Sequence, residues 1–318
     1  MMFKPACSII IRAYNEEAHI RRLLQGITEQ TVRDVQVILV DSGSTDGTVS
    51  VAQEFDVEVV HISPEEFTFG RSLNLGIAKA RADLVVMASA HVYPVYPDWL
   101  EQLLAPLKDN EVGLSYGKQR GANNSHFSEQ QIFKHWYPEV SSPLQDHPFC
   151  NNANAAIRLK LWQEHAYDET LPGLEDLEWG KWLQSQGQTI AYVADAEVIH
   201  VHNESQKGIL NRYFREGMAF KKIYPQERFG RADLIRLFYH NAIDDFKAAA
   251  HQGVIMRNIL RIIRFRWAQF YGTYSGYRQS GPLTWGLRQA FYYPRVSANE
   301  LKENKRQVEP IQYSKIKD

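Results

Sequence analysis

The chain has 318 residues, 44% of them hydrophobic and 23% charged, with a formal net charge of −1. This composition excludes a wholly disordered chain, a collagen-like polymer and a polytopic membrane protein. Two cysteines, Cys7 and Cys150, are too few for a disulfide framework or a thiolate zinc site, so a reducing compartment is the simpler expectation.

The opening MMFKPACSIIIRAYNEE has a short apolar run met at once by charge, too short for the core of a secretory signal. Residues 6–11 predict a buried strand. Glu16 to about Gln30 predicts a helix, with Ile20, Leu23, Leu24 and Ile27 at helical spacing. Residues 35–40 predict a second strand, Thr48–Phe55 a helix, Val57–His61 a third strand, 72–81 a helix and Leu84–Ala88 another strand. Strands alternating with helices imply βαβ units and a largely parallel sheet. Ligands of such sheets bind beyond the carboxyl ends of the strands, which here are Arg12–Glu16, Asp41–Thr48 and Ser89–His91. Residues 115–155 are polar, aromatic and irregular, suited to a mobile acceptor-side segment or to a surface excursion. A helix is expected over 175–186, a strand within 189–201, and helices from 207 onward.

Charge is uneven. Residues 1–202 carry 15 Lys+Arg against 27 Asp+Glu, a net −12, whereas residues 203–295 carry 16 against 6, a net +10. The expected organisation is an α/β body over 1–205, a basic helical extension over 206–295 and a polar tail over 296–318. A basic extension seeks phosphates or anionic head groups, unless it is only a solvated face. Arg257, Arg261 and Arg264 recur at helical spacing among apolar residues, a basic amphipathic pattern suited to an anionic membrane surface, to packing on the body, or to a homodimer. No recognised nucleic-acid module accompanies it, so nucleic acid is not an expected partner. No GxGxxG opens the first βα unit, which argues against a nicotinamide dehydrogenase.

The sharpest local signal is Asp41-Ser42-Gly43-Ser44-Thr45-Asp46-Gly47-Thr48 after a strand. Gly43 and Gly47 permit tight turns, and Thr45 or Asp46 can cap the next helix. By itself this is equally a plain strand–turn–helix connection. It gains specificity beside Arg12-Ala13-Tyr14-Asn15-Glu16, which ends the preceding strand in the same way.

Together these segments resemble the family 2 glycosyltransferases of the GT-A fold. The likeness continues through Arg71-Ser72-Leu73-Asn74-Leu75-Gly76-Ile77-Ala78-Lys79-Ala80, the acidic Leu174-Glu175-Asp176 and His200-Val201-His202. It spans roughly residues 6–220, and Ile199–Ala219 also looks like bacterial polysaccharide rhamnosyltransferases. The resemblance implies a nucleotide-diphospho-sugar transferase fold, a Rossmann-like mixed sheet flanked by helices, with a helical C-terminal extension. It implies an inverting transfer from a nucleotide-sugar donor to a glycan or lipid-linked acceptor of a capsule, O-antigen or exopolysaccharide. The expected setting is cytoplasmic, with the basic extension suited to peripheral contact with the inner face of the plasma membrane.

By the same resemblance, Ala13, Tyr14, Asn15 and Glu16 would line the nucleoside pocket, Asp41 with Ser42 and Gly43 would hold the base, and Arg71 would stand near it. Asp176 would accept the acceptor hydroxyl proton, with Glu175 orienting the acceptor. Asn152 and Asn154, in the small-residue segment Asn151-Asn152-Ala153-Asn154-Ala155-Ala156, offer donors and acceptors to sugar hydroxyls. Trp179 could stack on a sugar face, although its helical spacing suits a core position as well.

One position departs from the family. Where the family places Asp-x-Asp to hold Mg²⁺ or Mn²⁺, this chain has Ser89-Ala90-His91. Three routes follow: His91 binds a metal through its imidazole, His91 as imidazolium touches the diphosphate directly, or the chain is a catalytically inactive glycan- or nucleotide-binding protein. His200 is the better match to the family's metal-side histidine and His202 the second choice. These two are not expected to share one metal without a bend.

Overall fold

The sheet grows from its most apolar strand. In strand β1 (Cys7–Ala13), Ile9 and Ile11 face one layer of core, and Ile10 faces the other. The computed structural model describes residues 4–64, 66–202, 204–278 and 308–313. Seven more strands are β2 (Val35–Asp41), β3 (Glu58–His61), β4 (Leu84–Ser89), β5 (Val92–Pro94), β6 (Val112–Gly121), β7 (Asn154–Arg158) and β8 (Thr189–His200). They form one sheet in the order β3-β2-β1-β4-β7-β6-β8-β5. The first four neighbours are parallel. The other half is mixed, because β7 runs antiparallel to both β4 and β6, and β5 runs antiparallel to β8. The expected largely parallel sheet therefore describes only the β3-β2-β1-β4 half.

Helices α1 (Glu17–Thr28), α2 (Thr48–Ala52) and α4 (Trp99–Leu104) border the layer of Ile9, Leu23, Leu39 and Trp99. Helices α3 (Phe69–Ile77), α5 (Phe127–Trp136), α6 (Leu159–Glu164) and α7 (Glu175–Ser185) border the layer of Ile10, Leu73, Leu114 and Trp179. The segment 115–155 is thus far more regular than expected. It holds most of β6, all of α5 and the start of β7.

Three long helices follow: α8 (Gln206–Ile223), α9 (Arg231–His251) and α10 (Ile255–Arg278). Ser205 caps α8 by accepting from Gly208 N, satisfying a free first-turn donor. Helices α8 and α10 cross at small residues: a Cβ on Gly276 would lie 2.1 Å from Phe214 O, and one on Gly272 2.6 Å from Leu210 O. Helices α9 and α10 are joined by a buried two-point ion pair, Arg266 to Asp245, at 2.8 and 2.7 Å. Phe220, Phe229 and Phe270 of the extension share a core with Leu171 and Leu177 of the body. Residues 279–295 of the expected extension, and the expected tail outside 308–313, lie beyond the described residues.

Candidate active site

The carboxyl ends of β1 and β2 lie side by side, with Ala13 opposite Asp41. The two turns beyond them are stitched together. Asn15 Oδ1 accepts from Thr45 N at 2.8 Å, Ser44 Oγ accepts from Asn15 N at 2.9 Å, and Thr48 Oγ1 accepts from Glu16 N at 2.7 Å. Asp41 is buried, and its carboxylate accepts from Gly43 N and Ser44 N at 3.2 Å each. Gly43 sits at φ +86, which a side chain adopts only with strain. Ser42 is buried and donates its N–H to Ala13 O at 3.0 Å. Tyr14, next to this rim, is 56% exposed. His61, which sequence reasoning did not single out, places Nδ1 3.3 Å from Asp41 Oδ2. Arg71 is engaged on the rim by Glu66 at 3.2 Å and Glu169 at 3.3 Å.

The acidic motif opens α7 behind a strained residue. Leu174 adopts φ +56, a left-handed conformation costing a bulky residue roughly 1–3 kcal/mol and tolerated only where packing enforces it. Here that packing is the core shared with α8 and α10. Glu175 is buried and accepts from Arg12 Nη1 at 3.1 Å. Asp176 is half-buried, with Oδ2 accepting from Asn152 N at 3.3 Å and Oδ1 from Leu177 N at 2.8 Å. Burial, and then the adjacent Glu175 charge, push the Asp176 carboxyl up to about 7, against the pull of those two N–H donors and Arg12. A carboxyl tuned near neutrality is suited to receiving a proton. Asn152 Oδ1 accepts from Tyr167 OH at 3.2 Å, while its buried Nδ2 has no partner.

At the far end of β8 three imidazoles converge. The rings of His200 and His202 are 4.0 Å apart, and that of His91 lies 5.0 Å from His200 and 5.8 Å from His202. Contrary to the expectation that they diverge, His200 and His202 meet: two positions apart at the end of β8, they fall on one face. Their nearest ring nitrogens and that of His91 lie within 4.8 Å of one another. Burial, followed by neighbouring positive groups, holds His200 and His202 well below the ordinary imidazole range. Both are therefore neutral and able to coordinate. The Nε2 of His200 is buried without a partner. A divalent cation thus has donors here, although they are nitrogens and not the oxygens that Mg²⁺ prefers. Ser89 Oγ lies 3.1 Å from His91 Nε2.

A cavity of about 160 Å³ adjoins the histidines, lined by Asn151, Leu174, Glu129, Arg212, Glu216 and aromatic rings of α5 and α8 among others. Gln119 links the centres, donating to Asn151 Oδ1 at 3.2 Å and bonding His200 Nδ1 at 2.7 Å. Burial pushes Glu216 up to about 7. Gln119 belongs to the polar segment expected on the acceptor side, but Glu129, Arg212 and Glu216 were not foreseen. The only local signal is the Arg212/Glu216 spacing of one helical turn.

Two expected sugar contacts are core residues instead. Asn154 is fully buried and saturated: it accepts from Trp99 Nε1 at 2.9 Å and donates to Lys118 O at 3.2 Å and Ala196 O at 2.8 Å. Trp179 is fully buried, with Nε1 donating to His165 O at 2.7 Å. Neither has a surface to offer a sugar.

Residues 8–164 match the model of the family described as glycosyl transferase family 2. The O-antigen chain rhamnosyltransferase WbaN of Salmonella anatum is 26% identical over 227 residues, 67% of this chain and 72% of that protein. RfbN of Salmonella typhimurium, also an O-antigen chain rhamnosyltransferase, is 26% identical over 224 residues, 66% and 71% of the two chains. Among solved structures, the mannosyltransferase PcManGT from Pyrobaculum calidifontis, in complex with GDP-Man and Mn²⁺, superposes with TM-score 0.60 at 18% identity, covering 91% of this chain and 88% of that one. S. aureus TarS 1–349 gives 0.53 at 14%, covering 86% and 90%.

Proposed function

We propose that this chain, a family 2 glycosyltransferase of the GT-A fold, moves a sugar with inversion from a nucleotide diphosphate to a hydroxyl of a growing O-antigen-like surface glycan. The observation that carries this reading is Asp176, a recessed carboxyl pushed up to about 7 and held by two backbone N–H donors. Its carboxylate takes the acceptor hydroxyl proton as that oxygen attacks the anomeric carbon. The bond from that carbon to the donor phosphate breaks on the opposite side, and its electron pair leaves with the nucleotide diphosphate. A positioned base of this kind contributes about 10²–10⁴-fold. Tyr14 and the stitched turns at Asn15, Glu16 and Asp41–Gly43 receive the nucleoside. Arg71, between Glu66 and Glu169, stands at the rim. Asn152, whose backbone N–H holds Asp176 and whose buried Nδ2 has no partner, is the asparagine of its segment left with a donor for an incoming sugar.

A divalent cation bound by His91 and His200 would supply positive charge to the donor diphosphate. Rhamnose is the first sugar to test, because both Salmonella relatives bear that name. The alternative, an inactive binding protein, rests on the loss of the family's Asp-x-Asp. Melting the protein with UDP, dTDP, GDP and CMP identifies the base, since a ligand of the folded state raises Tm. Transfer from the matching nucleotide sugar, lost in Asp176→Asn, supports the reading. Binding without transfer under every donor and metal refutes it in favour of the alternative.

The same reading seats the protein on the inner face of an anionic membrane, where a lipid-linked acceptor resides. Support comes from the extension. No helix among the described residues is long and apolar enough to cross a membrane, yet α9 and α10 expose Tyr239, Ile243, Leu260, Ile263, Trp267 and Tyr271. Trp267 stacks on Tyr271 and meets Phe238 edge-on, joining the two helices' apolar faces. Arg257, Arg261 and Arg264 are exposed along one flank. Aromatic residues beside a basic flank match an anionic interface. In low salt, the protein should float with vesicles containing anionic lipid, and Leu260→Glu with Trp267→Glu should leave it at the bottom. Protein that never floats, or that buries this ridge in a lipid-free dimer, refutes the placement.

A further inference from the structure

We infer that His91, His200 and His202 form a three-imidazole site for a transition-metal ion of the Zn²⁺, Co²⁺ or Mn²⁺ class, and not for Mg²⁺. All three rings are engaged on the same nitrogen. His91 Nδ1 lies 2.6 Å from Glu16 Oε1, His200 Nδ1 2.7 Å from Gln119 Oε1, and His202 Nδ1 2.8 Å from Glu129 Oε1. These oxygens suit a proton on Nδ1, the tautomer that leaves the Nε2 lone pair as the ligand, and Arg212 Nη1 also lies 3.4 Å from His202 Nδ1. An oxygen acceptor behind each ring is the outer arrangement of metal-binding histidines. Glu129 is itself fixed, accepting from Arg212 Nη2 at 2.6 Å. The His200 Nε2 is buried with no partner, an unsatisfied polar atom that a bound cation would satisfy. On His91 the Ser89 hydroxyl, 3.1 Å from Nε2, would yield to the metal.

The donor set decides the class of ion. Neutral imidazole suits borderline first-row metals, whereas Mg²⁺ demands oxygen. Three protein nitrogens also leave a coordination position open for an outside oxygen. A neighbouring group of Glu129, His202 and Glu204 also has ligand atoms within 4.8 Å, but Arg212 lies 2.6 Å from Glu129 and 2.8 Å from Glu204, placing a cation there already.

The inference rests on the transferase reading only for the purpose of the ion; its test needs no donor. The full chain, stripped with chelator, is titrated calorimetrically with Zn²⁺, Mn²⁺ and Mg²⁺, and with Co²⁺ while its visible absorption is recorded. One equivalent of Zn²⁺ should bind, Mn²⁺ more weakly, and Mg²⁺ not at matched concentration. Co²⁺ should give the intense bands of a low-symmetry nitrogen site. His200→Ala should abolish Zn²⁺ binding with the cooperative melt retained. Should that variant not fold, Glu129→Gln, which keeps the shape behind His202, should weaken Zn²⁺ about 10–100-fold. Mg²⁺ binding equal to Zn²⁺, or Zn²⁺ binding untouched by His91→Ala and His202→Ala, overturns the assignment. Metal binding without any transfer leaves it standing and removes the transferase reading. Transfer without metal binding does the reverse.

Discussion

Replacing Asp176 by Asn should cut activity and raise stability together. The carboxyl lies at about 7 in the folded chain against 3.8 for a free aspartate. At ~1.36 kcal/mol per unit, holding it ionised opposes folding by at most about 4 kcal/mol. The side chain is only half-buried, and an amide can accept only one of the two N–H bonds from Asn152 and Leu177. The net gain for the variant is therefore about 1–3 kcal/mol at pH 8. The sign follows from linkage. A carboxyl with a raised folded pKa supports the fold while protonated in both states, and that support is lost as pH rises from about 4 through about 7. The advantage of the variant should be full above pH 7, shrink by more than half at pH 5 and vanish near pH 4. Chemical denaturation at these pH values reads the stability, and donor turnover at pH 8 should fall ~10²–10⁴-fold. A variant that keeps its turnover refutes the base assignment. One that is less stable at pH 8 than at pH 5, relative to the natural chain, refutes the claim that burial strains the ionised carboxyl.

Two further outcomes are specific. Because Asp176 must be ionised to accept a proton, kcat/KM should rise about tenfold per pH unit up to about pH 7 and then level; a profile flat from pH 5 to 7 would place the proton elsewhere. Gly117→Ala puts a Cβ 2.1 Å from Ala196 O and 2.4 Å from Asn154 Nδ2, atoms locked in the sheet interior. Its denaturation midpoint should drop by the equivalent of at least about 1–3 kcal/mol with an unchanged slope. An unshifted midpoint would show that β6 and β8 can part more easily than their register implies.

The first half of the sheet, β3-β2-β1-β4, was legible because its cues are local. The Ile9–Ile11 run, the alternation of strand and helix through residue 89 and the residues at strand ends all act within a few positions. Observed ends there fall within a few residues of those expected. The second half was not legible, and β6 shows why. It buries Ser115, Lys118 and Gln119, which a hydropathy pattern assigns to solvent. Each is satisfied by a partner remote in sequence: Ser115 donates to Leu103 O, Lys118 pairs with Glu197 at 2.6 Å, and Gln119 reaches Asn151 and His200. Asn154 misled for the same reason, since an asparagine that bonds tryptophan and two carbonyls in a core is indistinguishable in sequence from one that bonds a sugar. The meeting of His200 and His202 was legible after all, since positions two apart on an extended chain share a face. Glu129 and Arg212 are 83 positions apart, beyond the reach of any spacing rule.

The Arg212–Glu129–His202 chain of contacts has a practical consequence for anyone recombining such enzymes. A graft that exchanges everything after residue 205 would look safe from the charge profile, because the junction precedes α8. It would nevertheless swap out the guanidinium that steadies Glu129, and with it the brace behind one imidazole, while uncovering Leu171 and Leu177. Hybrids that trade donor halves should therefore carry α5 and α8 as a set, or match position 129 to position 212, if they are to remain whole.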